Sequence, residues 1–147
     1  MGWKLNDQLC FLLYSSSREV IKHYKVLLDP LGLTYTQYVT MIALWEEDHQ
    51  TVSDLGKKLA LDSGTLTPLL KKLEVDGRIT RKRDLQDERK VWIDLTKDGH
   101  ELAKKAEHIP YSIYESIQVN KEDAEKLYNV LSKIKTDMSD FSGEEHE

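Results

Sequence analysis

The one cysteine of the 147-residue chain, Cys10, is its strongest candidate for covalent chemistry. A thiolate can attack a peroxide oxygen and become a sulfenic acid, and its reactivity depends on a depressed pKa. Cys10 lies near the start of a helical pattern, where the helix dipole favours an anion, and tyrosine hydroxyls can donate to a thiolate. Tyr24 follows fourteen residues later, near the same helical face but roughly 21 Å along the axis. On a continuous helix it cannot reach its own chain's Cys10. Two such helices crossing in opposite directions about a two-fold axis would bring Tyr24 of one chain beside Cys10 of the other. Tyr35 could join from the start of the next helix. The alternative is that Cys10 is a small buried hydrophobe and that the tyrosines pack amphipathically.

A second set of residues suits a polyanion. Ser63, Gly64, Thr65, Thr67, Lys71 and Lys72 fall on the polar face of a helix whose leucines must turn inward. Small polar residues at a helix start allow close approach to DNA, and lysines further along add phosphate charge. Arg81, Lys82, Arg83, Arg89 and Lys90 follow on a hairpin, and an arginine at its tip suits a narrow minor groove. The whole chain carries a net charge of −5. Residues 51–95 nonetheless hold ten Lys/Arg against eight Asp/Glu, a local balance of +2. From Asp137 to Glu147 there are five acids and no Lys or Arg, the pattern of a solvated tail.

The elements that must carry these residues are legible from periodicity. Leu5 to about Leu28 reads as one long helix, ended by Asp29-Pro30-Leu31-Gly32. Thr34-Tyr35-Thr36-Gln37 is a capping box for a helix to about Glu47, with Tyr38, Met41, Ile42 and Trp45 inward. Thr51-Val52-Ser53-Asp54 opens a short helix, and a break at 60–63 leads to the Leu66, Leu69, Leu70, Leu73 stripe, stopped by Gly77. Pro68 is best tolerated near a helix start, so that helix is expected to begin close to Gly64. Ile79–Arg83 and Val91–Leu95 alternate as two half-buried strands joined by the polar loop 84–90. Thr96 caps a long helix that Pro110 should kink or break, and Asn120 caps the last, with Ala124, Leu127, Tyr128, Leu131 and Ile134 on its apolar face. The fold class is mostly α with a small β-hairpin: a winged helix-turn-helix between long N- and C-terminal helices.

Other classes lose ground on composition. A lone cysteine excludes an internal disulfide framework and a multi-cysteine zinc site. The five histidines have no ligand spacing, and no glycine-rich phosphate loop is present. No enzyme, metal or cofactor is expected. The longest apolar stretch, Leu9 to Tyr14, is too short for a bilayer, so the expectation is a cytoplasmic protein without membrane contact.

The run Leu61-Asp62-Ser63-Gly64-Thr65-Leu66-Thr67-Pro68-Leu69-Leu70-Lys71-Lys72-Leu73-Glu74, followed by Asp87-Glu88-Arg89, resembles the MarR family of dimeric winged-helix regulators. Gln8-Leu9-Cys10-Phe11-Leu12-Leu13-Tyr14 and Leu33-Thr34-Tyr35 narrow the resemblance to the one-cysteine, organic-hydroperoxide-sensing branch (OhrR-like). The similarity runs from about Leu5 to Thr96, and the last two helices match only in pattern. The resemblance implies a single chain in which 34–95 is the DNA-binding region and 1–30 and 96–147 are dimerisation helices. It places Ser63, Gly64, Thr65 and Thr67 in the major groove and Arg89 in the minor groove. It also implies that Tyr24 and Tyr35 of the partner subunit bond the reactive Cys10.

The expected function is a repressor whose reduced homodimer holds an inverted-repeat operator in double-stranded DNA and lets go when an organic hydroperoxide oxidises Cys10. Without a second cysteine, the sulfenic acid must be capped by a low-molecular-weight thiol, cyclise with a backbone nitrogen, or oxidise further. The alternatives are a regulator that responds to a small phenolic or drug-like ligand, and a global virulence or biofilm regulator using the same cysteine.

Overall fold

The first long helix starts later than its apolar spacing predicts. The computed structural model describes residues 2–142. In it Leu5–Asp7 forms a 3-10 turn, Gln8 is extended, and helix α1 runs Leu9–Leu28. The cause lies in Gln8, whose side-chain amide donates back to the carbonyls of Gly2 (2.8 Å) and Lys4 (3.4 Å). This local closure competes with helix propagation. Only Leu28 is fully buried among the residues of α1, whereas Leu9, Leu12 and Val26 are 68%, 60% and 73% exposed.

A 3-10 turn at Asp29–Leu31 and Gly32, in the left-handed region at φ 68°, end the helix as expected. Helix α2 (Tyr35–Glu46) opens with the full capping box: Gln37 N–H donates to Thr34 Oγ1 (3.3 Å) and Thr34 N–H donates to Gln37 Oε1 (2.9 Å). It is the central element of the core. Tyr38 and Met41 are buried as predicted, and so are Gln37, Thr40, Ala43 and Leu44, while Ile42 and Trp45 are half-buried. A helix packed on more than one side loses the single stripe that periodicity looks for. Each such fully buried Leu or Met is worth about 1.5–3 kcal/mol of transfer free energy.

Two residues, Gln50–Thr51, form a strand β1 that periodicity did not reveal. His49, at φ 58°, turns the chain into it, and the Gln50 amide donates to the carbonyls of Ala43 and Glu47. Helix α3 (Val52–Leu59) follows, capped by Thr51 and closed by Ala60 at φ 52°. Helix α4 (Ser63–Val75) is capped by Asp62, which accepts from Thr65 N–H at 2.7 Å. It begins one residue before the expected Gly64, which makes Pro68 its sixth residue. Lacking an N–H, Pro68 leaves the Gly64 carbonyl without its helical donor. Leu66, Leu70 and Leu73 are buried, and Gly77 at φ 74° stops the helix.

Strands β2 (Ile79–Arg83) and β3 (Val91–Leu95) pair antiparallel from Ile79↔Leu95 to Arg83↔Val91. With β1 pairing Gln50↔Ile93, the sheet order is β1-β3-β2. Alternation puts Arg81 and Ile93 on the core face and Lys82 and Trp92 on the outer one. Thr96 caps helix α5 (Lys97–Ala106). The break expected at Pro110 comes earlier, at Glu107 and His108. Pro110 is then the second residue of helix α6 (Ile109–Ile117), where it has no hydrogen bond to lose.

The chain divides into two compact units between Ile113 and Tyr114, inside α6. The second unit carries helix α7 (Lys121–Ser142), capped by Asn120 Oδ1, which accepts from Asp123 N–H at 2.9 Å. Of its predicted apolar face, Ala124 is half-buried, while Leu127, Tyr128, Leu131 and Ile134 are exposed. Asp137 and Asp140 of the acidic end lie on α7, and Glu144, Glu145 and Glu147 lie outside the described residues. No helix among the described residues is long and apolar enough to cross a membrane.

Candidate nucleic-acid interface and thiol site

The α3-turn-α4 pair presents the residues selected from sequence. Ser63, Gly64 and Thr65 are exposed at the start of α4, Thr67 is half-buried, and Lys71 and Lys72 are exposed one turn further on. Lys72 Nζ lies 3.1 Å from Asp76 Oδ1. The leucine stripe fixes this orientation, since Leu66, Leu70 and Leu73 occupy the opposite face.

The hairpin beyond β2 is built around Asp84. Its Oδ1 accepts from the N–H groups of Gln86 (2.8 Å) and Asp87 (3.0 Å), and its Oδ2 accepts from the Trp92 indole (2.9 Å). These donors, the indole first, hold the Asp84 carboxyl well below the usual carboxylate range, at about 2. The other side of Trp92 faces His49, stacked at 4.3 Å with the rings 1° from parallel, and His49 Nδ1 lies 2.7 Å from Asp94 Oδ1. Arg89 at the tip is 92% exposed along its side chain and oriented by Asp87, to which its Nε donates at 3.3 Å. Arg83 donates to the Glu88 carbonyl, and Lys90 is exposed. Arg81, counted with these cations in the sequence, lies on the core face of the hairpin and pairs with Glu74 of α4 at 3.1 Å.

Asp84 gives the wing a predictable acid limit. Because its folded pKa lies below the ordinary 3.8, its stabilisation is complete above about pH 4 and is lost as pH falls through about 2. Hydrogen exchange at the Gln86 and Asp87 amides, followed from about pH 5 to about pH 2, is expected to show protection lost in the lower part of that range. Asp84→Asn should remove the step. An unchanged step in that variant would assign the transition to another group.

Cys10 is the second residue of α1, in its first turn, and is exposed. The tyrosines are at the other end. Tyr24 and Tyr35 pack at 4.9 Å between ring centroids, and Tyr38 adds to the cluster 5.8 Å from Tyr24. Burial, then the neighbouring Tyr35, pushes the Tyr24 phenol up; burial, then Tyr24 and Tyr35, pushes Tyr38 up to about 12. Tyr24 and Tyr38 are therefore protonated donors at neutral pH. Since α1 is continuous from Leu9 to Leu28, Cys10 and Tyr24 of one chain are roughly 21 Å apart along it. The fold thus joins the two predicted tyrosines to each other and not to their own cysteine.

Sequence reasoning missed Asp84, Trp92, His49 and Glu74. An Asp two residues before a backbone N–H it can accept from is a recognised turn signal. A Trp at an outward-facing strand position was a further sign of a partner. The second unit adds an open apolar hollow of about 240 Å³ beside Tyr114, Leu127 and Leu131. Among the described residues no acidic, histidine and cysteine side chains cluster as metal ligands.

Helix-turn-helix, small polar residues heading the second helix, and a cationic hairpin define a winged-helix DNA-binding regulator. A model of the SarA/Rot transcriptional regulators matches residues 22–106. The chain is 52% identical over 128 residues to the organic hydroperoxide resistance transcriptional regulator of Bacillus subtilis, covering 87% of each. It is 38% identical over 138 residues to the HTH-type transcriptional regulator SarZ of Staphylococcus haemolyticus, covering 94% of each. Among solved structures it resembles reduced AbfR bound to DNA, with TM-score 0.76, 33% identity, and 93% of this chain and 94% of that one covered. The chain belongs to the SarA/Rot family of MarR-type winged-helix transcriptional regulators, in its cysteine-based, redox-sensing branch. It is a regulator and not an enzyme.

Proposed function

We propose that the chain is a cytoplasmic repressor that binds an inverted-repeat operator as a homodimer and releases it when an organic hydroperoxide oxidises Cys10. The observation that carries this reading is the exposed Cys10 in the first turn of α1, a helix length away from the Tyr24–Tyr35 pair. The apolar residues left exposed on α1 and α7 supply surface for residues 1–30 and 96–147 to dimerise. A two-fold crossing of α1 would then seat each Cys10 beside the partner's tyrosines. The 52% identity to an organic hydroperoxide resistance regulator supports the choice of signal.

The chemistry balances on one sulfur. The Cys10 thiolate attacks a peroxide oxygen, the O–O bond breaks, and the alkoxide leaves and takes a proton to become the alcohol. The sulfenic acid so formed can lose water to a low-molecular-weight thiol, giving a mixed disulfide. Both products are bulkier than the thiolate and carry no negative charge on sulfur for the tyrosine hydroxyls to bond, so the dimer interface shifts and the two α4 helices leave groove spacing.

Residues 34–95 read the operator in this reading, through Ser63, Gly64, Thr65 and Thr67 in the major groove and Lys71, Lys72, Arg83 and Lys90 on phosphates. Arg89 reaches the minor groove. Fluorescence anisotropy of the reduced protein on a duplex recovered by in vitro selection tests the scheme. Binding should be released by near-stoichiometric cumene hydroperoxide and restored by thiol. Arg89→Ala should weaken the reduced complex by about tenfold or more. Repeated peroxide turnover per Cys10, or no operator at any salt, would contradict it.

A further inference from the structure

Resting on the assignment of α4 and the hairpin to DNA, the geometry points to Glu74 and Arg81 as a positioning pair that sets the angle between recognition helix and wing. Arg81 is then not a phosphate ligand. Its side chain leaves β2 on the core face, opposite Ile93, and both Nε (3.2 Å) and Nη2 (3.1 Å) donate to Oε1 of Glu74. The pair is partly shielded, with 25% of the Arg81 side chain and 39% of the Glu74 side chain exposed, against 92% for Arg89.

The location gives the pair its leverage. Glu74 is in the last turn of α4, and Arg81 is the third residue of β2. Between them the chain reverses through Gly77 at φ 74°, with Arg78 N–H donating to the Leu73 carbonyl at 2.9 Å. The ion pair therefore closes a second, longer loop across the turn that this backbone bond already spans, and two ties hold the helix-strand angle better than one. Whatever fixes that angle fixes where Arg89, at the far end of the hairpin, meets the duplex when α4 is seated. Two N–H groups on one carboxylate oxygen restrict the guanidinium in direction as well as distance.

Electrostatics alone gives the opposite expectation for one of the two residues. An acid near a DNA-facing helix repels phosphate, so neutralising Glu74 should tighten binding if charge were all that mattered. A positioning pair predicts that neutralising either residue weakens it.

Anisotropy on the selected duplex separates the two. Glu74→Gln and Arg81→Gln are each expected to weaken binding by roughly 2- to 30-fold. Arg81→Gln should leave the slope of log K against log salt unchanged, whereas loss of a phosphate contact lowers it by about 0.9. In an Arg89→Ala background Glu74→Gln should cost clearly less than it does in the wild type, because Arg83 and Lys90 alone still depend on the wing angle, a coupling that a merely structural role would not produce. The exchanged pair, Glu74→Arg with Arg81→Glu, should recover most of the affinity, and it decides the matter if either single variant melts early. Tighter binding by Glu74→Gln, a reduced salt slope for Arg81→Gln, or full additivity with Arg89→Ala overturns the inference alone. Failure of the wild type to bind any duplex overturns the DNA assignment and this inference with it.

Discussion

Replacing Cys10 with serine is expected to abolish the response to hydroperoxide while leaving the reduced protein's operator affinity within about twofold of wild type. Oxidation of the wild type should lower affinity by roughly 5- to 150-fold, the usual range for coupling between two sites. The asymmetry follows from the chemistry of the two atoms. A serine hydroxyl occupies nearly the same space at the second residue of α1 and can still hydrogen-bond a tyrosine, so the reduced dimer keeps its geometry. It is not ionised at neutral pH and does not open an O–O bond.

The measurement is an anisotropy titration with cumene hydroperoxide, run on both proteins, with Cys10 followed by mass spectrometry. If the serine variant is released by the same oxidant dose, another group carries the signal and the redox reading of Cys10 fails. If neither protein is released by oxidant but both respond to a phenolic ligand, the apolar hollow beside Tyr114 becomes the place to look. Tyr24→Phe adds a finer prediction. Burial keeps its hydroxyl a donor, so its removal should slow oxidation of Cys10 rather than prevent it.

How much of this could be seen in the residues depended on whether the cause was local. Caps were legible because each is a side chain bonding a backbone N–H three residues on. Thr34, Thr51, Thr96 and Asn120 all cap as the sequence suggests. The hairpin was legible because alternation is a local property, and the positions of Ser63, Gly64 and Thr65 followed from the leucine stripe on the other face. What escaped depends on contacts distant in sequence. Strand β1 is two residues long and exists because Ile93 and Trp92, some forty residues later, offer it a ladder. The start of α1 was misplaced because the apolar pattern continues through Leu5, while the Gln8 amide diverts the backbone at close range. Arg81 looked like its cationic neighbours until the register put it on the core face of the sheet against Glu74. A sequence shows how many charges a hairpin carries, and only pairing shows which of them are already engaged.

Gly99→Ala should be among the most damaging single substitutions in the chain, and nothing in its Lys-Asp-Gly-His context distinguishes it from a glycine in an exposed turn. Gly99 is buried in the first turn of α5, and a methyl group there would lie inside contact distance of the Arg78 carbonyl oxygen and 3.2 Å from Leu95 Cδ2. That carbonyl cannot move aside freely, because it accepts from Thr96 N–H at 3.1 Å, and the Thr96 hydroxyl holds the adjacent Gly77 carbonyl at 2.6 Å. The helix cannot lift freely either, since the Trp45 indole donates to the Gly99 carbonyl at 2.9 Å and ties α5 to the central α2.

With both sides pinned, the expected cost is at the upper end for overpacking, about 3 kcal/mol or more. For a chain of this size that is a fall in Tm of roughly 6–12 °C, read by circular dichroism at fixed protomer concentration. Gly77→Ala is the control. Its left-handed φ of 74° carries a strain of about 1–2 kcal/mol, yet an added methyl there meets nothing within 4 Å, so its Tm should fall less. A Gly99→Ala protein melting within about 2 °C of wild type would mean that the α5 contact gives way more easily than its three tethers imply. Because Arg78 sits in the turn joining α4 to β2, the strain enters where recognition helix and wing meet. The folded fraction of Gly99→Ala should therefore bind operator more weakly than that of Gly77→Ala at equal occupancy of the native state.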